Sequence, residues 1–468
     1  MNQADLQLEK LARMYSQQGK PLRVSFRQLC SQWPWARRSD TFTHLMHRYP
    51  AKIFPYIPIF FLSSEKMAGV SETVLDPFAG TGTVLVESIV HPLLKRNCKG
   101  VEINPLARLV AKVKTTPIEE IKLEKAAKKL VCEAKSVRCK PDAPNLANLD
   151  MWFSRKVQVG LSRIRCCIEG LDDDDLKDFF LVCLSSIIRD VSLADSKIPP
   201  PVVLRTENFG SDQDRKKEIE NLIKCKKEAE PLRYFKRAIW KNIDRINALN
   251  EIEALSSGKI QAKIIWDDAR TLKSCSMFGQ AKLDKANAVP LAKGSVALAI
   301  TSPPYINAQK YIRTTKFELL WLNLVNERGI VDLDRKIIGT ERIFRGEYED
   351  LTLTNIDSAD VAIERIFKKD PKRAMIVTKY FQDMREVVKR ISEVVRQDGH
   401  LIVAIGDNKI CGNIVENHRI LSDIVETEGD FETEMVLVDR IRSRGMITKR
   451  HRTAGMILDE WVIVLTKK

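Results

Sequence analysis

Two short stretches of this chain carry residue types able to hold and align a planar, amine-bearing ligand. The first is DPFAGTGT, Asp76 to Thr83, in which Gly80 and Gly82 let a turn bring backbone N–H groups close to a bound molecule. About twenty residues beyond it stands Glu102, at the spacing that sets a carboxylate beside the ribose of a nucleoside. The second is ITSPPY, Ile300 to Tyr305. Its prolines fix the backbone, so a carbonyl is aimed in advance. That carbonyl and the Ser302 hydroxyl can accept hydrogens from an exocyclic amine, while Tyr305 offers a flat surface for stacking. Taken alone, each motif has a plainer reading, as a strand-to-helix connection or a rigid turn. Glu102 upstream of the proline loop tips the balance toward ligand binding. The glycine loop lacks the GxxxxGK[ST] phosphate cradle, which disfavours ATP or GTP hydrolysis.

Such residues need a scaffold that brings them together. The run TVLDPF (73–78) reads as a strand meeting a turn, GTGTVLVESIVH as the helix after it, CKGVEI (98–103) as a second strand, and NPLARLVAKVK as the start of another helix. This order predicts a doubly wound, mostly parallel sheet. Strand-like runs return at AKIIWDD (262–268), SVALAITS (295–302), HLIVAIGD (400–407), EMVLVDR (434–440) and WVIVLTK (461–467). The stretch 380–396 reads as an amphipathic helix. Residues 1–40 form a mixed, basic N-terminal segment, and 41–117 with 258–468 the α/β domain. Residues 118–257 read as a large helical insertion, broken by an extended SKIPPPVVL, and 325–375 as a second, smaller one.

The bulk numbers agree with a substantial core. The chain has 468 residues, 44% of them hydrophobic, too long for one ordinary domain without insertions. Lys and Arg number 77 against 62 acids, a formal charge of +15 that favours a polyanion partner, nucleic acid first. The ten cysteines form no CxxC pair and the six histidines do not cluster with them, so no metal site is expected. Met1 to Lys20 is polar, and IFPYIPIFFL (53–62) is too short and proline-broken to span a bilayer, so the expectation is a cytoplasmic protein with no membrane association.

DPFAGTGT followed by TSPPY resembles the S-adenosylmethionine-dependent amino-methyltransferases of DNA, of the cytosine-N4 type and its adenine-N6 relatives. HRYPAKIFPYI (47–57), YFQDM (380–384), VAIGDN (403–408) and ILDEWVIVL fit the same family, so the likeness covers roughly 41–117 and 264–468. It implies a Rossmann-like class I methyltransferase fold, α/β, with S-adenosylmethionine as cofactor. It also implies roles. Phe78, Gly80, Thr81 and Gly82 line the methionine part of the cofactor, and Asp76 lies near its amino group. Glu102 binds the ribose, and Asp268, or less favourably Asp267, the adenine. Lys52 and Phe54 belong to a loop closing over the methionine part. Ser302, Pro303, Pro304 and Tyr305 hold the target base. Asp267 and Asp268 also suit a plain helix cap.

The implied function is site-specific methylation of the exocyclic amine of a base extruded from DNA, with cytosine N4 favoured by Ser302 and adenine N6 the alternative. An RNA base methyltransferase is a further alternative, though such loops usually carry Asn or Asp before the Pro-Pro-Tyr. Carbon-5 chemistry is disfavoured because no Pro-Cys pair is present. Arg440, Arg442, Arg444, Lys449, Arg450 and Arg452, in DRIRSRGMITKRHRT (439–453), are candidates for gripping DNA phosphates; the plain alternative is a solvated hairpin. The insertion 118–257 suits DNA recognition or packing equally. A restriction–modification setting would add a companion restriction or defence component as partner.

Overall fold

The computed structural model describes residues 2–38, 42–50, 52–138, 143–196, 198, 200–207, 212–306, 311–441 and 458–468. An eight-stranded sheet runs through its centre. In chain order the strands are β1 (Leu22–Val24), β2 (Thr73–Asp76), β3 (Asn97–Val101), β4 (Ala262–Trp266), β5 (Val296–Thr301), β6 (Val395–Ile405), β7 (Phe431–Arg440) and β8 (Asp459–Lys467). Across the sheet they lie β1-β7-β8-β6-β5-β2-β3-β4. All neighbours pair in parallel except at β8, which runs against both β6 and β7. This is the mostly parallel, Rossmann-like sheet expected, with one strand turned round.

The strands form where apolar, largely β-branched runs can be buried on both faces. VALAIT of β5 is buried at every position. Successive side chains enter different cores, as a period of two requires: Val74, Leu298, Ile300 and Ile402 join one cluster, and Leu75, Ala299, Leu401 and Val403 the other. The helices Thr83–Val90 and Pro105–Thr115 cover the first face. The helices Asp357–Phe367, Pro371–Val394 and Asn417–Glu428 cover the second.

Strand order reverses between β2 and β5. From β2 the chain winds outward through β3 to β4, and from β5 it winds the other way. Such a switch point leaves a crevice beyond the carboxyl ends of the strands, where ligands bind in open α/β sheets. The glycine turn leaves β2 and the proline loop leaves β5 at that crevice.

Residues 118–257 are mainly helical: Glu120–Ser136, Arg155–Glu169, Asp174–Val191, Gln213–Lys227 and Pro231–Asn250. Their apolar faces share the first core with the sheet. Lys112 ties the two parts electrostatically, its Nζ lying 2.7 Å from Oδ2 of buried Asp178. Within SKIPPPVVL the described residues begin with a turn at Ser196 and bends at Ile198 and Pro200, and Val203 forms an isolated antiparallel bridge with Ala194. The N-terminal segment is woven into the sheet: β1 extends it beside β7, and the Phe26 N–H donates to Asp439 Oδ2 at 2.9 Å. No described helix is long and apolar enough to cross a membrane.

Candidate active site

The glycine turn is bent by two left-handed residues, Gly80 at φ 51° and Gly82 at φ 76°. At Gly82 a Cβ would sit 3.1 Å from the Ala111 Cβ, so the turn packs tightly on the helix behind it. At Gly80 a Cβ would meet nothing within 4 Å, so space is open above the turn. Glu102 faces that space from the end of β3. One carboxylate oxygen accepts the Gly80 N–H at 2.9 Å and the other the Asn104 N–H at 2.7 Å. Burial raises its pKa, against the opposing pull of those N–H groups and the Arg108 guanidinium. The carboxylate is therefore locked to the turn it would serve.

A lysine supports the turn from below. Lys114 is fully buried, and its Nζ donates to the Thr81 carbonyl at 2.8 Å. Burial holds its pKa well below the ordinary lysine value, and the charge of Lys52 pushes the same way. Lys52 is exposed along its stem, but its ammonium turns inward to the His44 and His47 carbonyls at 3.0 and 3.1 Å. That inward turn brings its pKa down to about 8. Phe54, half-buried, tilts against Tyr56 with ring centroids 5.1 Å apart. Through Lys52, whose charge acts on Lys114, the segment 47–57 comes near the glycine turn.

Asp76 ends β2 and is 2% exposed. Its Oδ1 accepts the Phe78 N–H at 3.0 Å and the Thr301 hydroxyl at 2.8 Å. Burial lifts its pKa to about 7 despite those donors. Thr301 immediately precedes Ser302, so this bond joins the two motif loops. Pro303 is buried, and Ser302, Pro304 and Tyr305 are half-buried. The Tyr305 hydroxyl is hydrogen-bonded to the Ser302 side chain; burial raises its pKa, and Glu460 on β8 raises it further. Burial likewise lifts Glu460, to about 7, with Asp439 adding to the effect.

Asp267 and Asp268 follow β4, on the far side of Glu102. Asp267 pairs with Lys285. Asp268 accepts from Arg270 through both oxygens, at 2.9 and 3.0 Å, and Arg270 reaches on to Asp383 at 3.1 Å and to the Lys336 carbonyl at 3.1 Å. Both carboxylates thus stand at the predicted strand end, already engaged by cations. Arg440 closes β7 opposite Asp459 in register and is exposed. Arg442, Arg444, Lys449, Arg450 and Arg452 lie outside the described residues.

Several site residues escaped the motif reading. Asn104 is buried and caps the helix Pro105–Thr115, and its amide donates to Tyr49 Oη at 3.0 Å and Thr315 Oγ1 at 3.3 Å. One residue so links the segment at 47–57, the Glu102 end of β3 and the chain after the proline loop. Arg270, Lys114 and Glu460 were also missed. Lys114 and Glu460 lie inside stretches the sequence reading quoted and Arg270 just beyond AKIIWDD, but Lys114 reaches Thr81, Glu460 faces Tyr305 and Arg270 reaches Asp383, all distant along the chain.

The arrangement fits S-adenosylmethionine by its own chemistry. It offers open space above Gly80, a carboxylate fixed at the rim, and a Thr81 hydroxyl that is buried without a hydrogen-bond partner among the described residues. No protein-family model matches the chain. Type II methyltransferase M.MvaI of Kocuria varians is 24% identical over 397 residues, covering 82% of this chain and 80% of that protein. The rRNA methyltransferase aviRa from Streptomyces viridochromogenes superposes over 95% of this chain and 96% of its own, at 9% identity and a TM-score of 0.28, too low to carry any argument. A methyltransferase relative matched along most of its length, a Rossmann-like sheet and the open space above Gly80 beside Glu102 together support a methyltransferase that uses S-adenosylmethionine.

Proposed function

We propose that this chain is a site-specific DNA methyltransferase that modifies the exocyclic amine of an extruded base, with cytosine N4 as its acceptor. The observation that carries the reading is the Thr301–Asp76 hydrogen bond, which fastens the base loop to the donor turn. The Kocuria varians relative, a type II methyltransferase by name, supports DNA as the substrate.

When bound, S-adenosylmethionine supplies an electrophilic sulfonium methyl. Phe78, Gly80, Thr81 and Gly82 would hold its methionine part, with Lys52 and Phe54 on the closing segment, Asp76 near its amino group and Glu102 at its ribose. Asp268, or Asp267, would meet its adenine, sharing its carboxylate with the cation already present.

The amine of cytosine is a poor nucleophile because its lone pair is conjugated into the ring. Acceptance of its hydrogens by the Pro303 carbonyl and Ser302 hydroxyl favours a pyramidal nitrogen. The freed lone pair then points toward the glycine turn. Tyr305 stacks on the base and offsets part of the cost of extruding it, about a few kcal/mol; base–aromatic stacking contributes roughly 1–3 kcal/mol. Orientation across a gap fixed by the Thr301–Asp76 bond supplies most of the rate. The basic stretch from Arg440 to Arg452 would grip phosphates.

Incubation with radiolabelled cofactor and separate DNA, RNA and protein pools tests the reading. Label should enter DNA and be recovered as N4-methylcytosine. Recovery as N6-methyladenine would move the acceptor to adenine, and incorporation into RNA or protein alone would end the proposal.

A further inference from the structure

A second cleft opens beside the base loop, built by residues 311–376. Five cations line it, Arg313, Arg335, Arg342, Lys372 and Arg373, around a cavity of ≈ 440 Å³. Two carboxylates, Glu341 and Asp370, line it as well, so cations exceed acids by 5 − 2 = 3. Some of these cations are braced. Arg373 pairs with Glu341 at 3.1 Å, and Arg342 with Asp334, which Arg313 also approaches at 3.8 Å. Asp370 spends one oxygen capping the helix Pro371–Val394, accepting the Arg373 N–H at 3.0 Å. Among the described residues Arg335 and Lys372 have no ion pair with a carboxylate. The Arg335 guanidinium instead lies 4.6 Å from the centroid of Phe344, whose side chain is exposed. Over that ring face, the guanidinium has an aromatic neighbour but no carboxylate among the described residues.

The cleft is close to the base loop. Gly339 packs so tightly there that a Cβ would lie 3.3 Å from the Tyr305 carbonyl oxygen. Arg342 is three residues further on, so its Cα is at most about 11 Å from that of Gly339. Arg313 sits on the short helix Tyr311–Thr314 that follows the base loop. Cationic groups without a carboxylate partner next to braced ones, one of them over an aromatic ring, suit phosphate diesters better than isolated anions. Guanidinium forks match phosphate oxygens, and an extended strand presents several in a row.

We infer that this cleft binds the phosphodiester backbone of the DNA strand flanking the extruded base, an assignment that rests on the function proposed above. The braced arginines set the shape, and Arg335 with Lys372 supplies the charge that binding neutralises.

The test is a full-length Arg335→Ala/Lys372→Ala double variant, with Lys10→Ala/Lys20→Ala as a control that removes two exposed charges from the N-terminal segment. Binding of a mixed-sequence DNA duplex is followed by fluorescence anisotropy across a salt series. The first variant should bind roughly tenfold more weakly at low salt, with the slope of log K against log salt reduced by about two. Its melting temperature and cofactor affinity should match the wild type, and the control should bind as wild type. Unchanged affinity and slope in the first variant, or an equal loss in the control, overturns the assignment. A wild type that methylates DNA while the variant binds normally removes the cleft alone; a wild type that binds duplex RNA but no DNA removes the proposed function with it.

Discussion

Thr301 donates its hydroxyl hydrogen to Asp76 Oδ1 across 2.8 Å, although 225 residues separate them in the chain. Each is the last residue of its strand, and those strands pair in parallel through Val74 with Leu298 and Leu75 with Ala299. The bond is buried, so losing its donor leaves a carboxyl group short of a partner. Thr301→Val keeps the shape and removes that donor. Stability should fall by roughly 1–3 kcal/mol, read from denaturant unfolding, and single-turnover methylation should slow more than cofactor binding weakens. A variant with normal turnover would show that the two loops do not depend on this tie.

Asp76 gives the site a pH dependence. Its folded pKa, about 7, stands above its ordinary value of 3.8. Folding therefore favours the protonated form: the stabilising contribution is complete below the ordinary value and is lost as pH climbs to about 7. The shift amounts to about 4 kcal/mol against the charged form, a cost that a neighbouring cationic amino group would offset. Cofactor affinity should accordingly strengthen between pH 6 and 8, with proton release seen by calorimetry in buffers of different ionisation enthalpy. Asp76→Asn should bind weakly and without that pH trend. A parallel pH trend in the variant would assign the titration to another group, Glu460 first.

Lys114 acts on the donor turn through a single backbone contact, at Thr81. Lys114→Met preserves volume and apolar packing while removing the donor. Cofactor binding, measured by calorimetry, should weaken about tenfold, the scale of one buried hydrogen bond. Affinity within twofold of wild type would mean that the turn holds its shape without the lysine.

Tyr305 is expected to serve the base rather than the donor. Tyr305→Ala should cut turnover by about 5- to 150-fold, the loss of one base-stacking contact, and leave the cofactor dissociation constant within twofold. Tyr305→Phe keeps the ring and loses only the hydroxyl bonded to Ser302, so its defect should be milder. Equal losses of turnover and cofactor binding in Tyr305→Ala would contradict the role.

Strands were legible because they are buried on both faces, which demands the uninterrupted apolar runs seen at 296–300 and 401–405. The three-residue β1 was not legible: Leu22–Val24 is too short to show a period and is held by its pairing with β7. The helix expected over 380–396 starts instead at Pro371, where Asp370 caps it, because an apolar stretch at 374–377 continues its buried face. At the site, the motifs named the loops but not their fastenings. Lys114 ends a stretch that reads only as the start of a helix, yet its ammonium is sequestered under a turn thirty-three positions earlier in the chain. The Asp268–Arg270–Asp383 network unites β4 with a distant helix, and no local pattern encodes that meeting.

The central claim is that one sheet edge aligns a methyl donor with an exocyclic amine. Nucleoside mass spectrometry of DNA from cells expressing the wild type and the Tyr305→Ala variant tests it most directly. The account predicts N4-methylcytosine with the wild type and a severalfold lower level with the variant at matched expression. Methyl groups on carbon 5 of cytosine, or no methylated base from a protein that binds the cofactor, would contradict it.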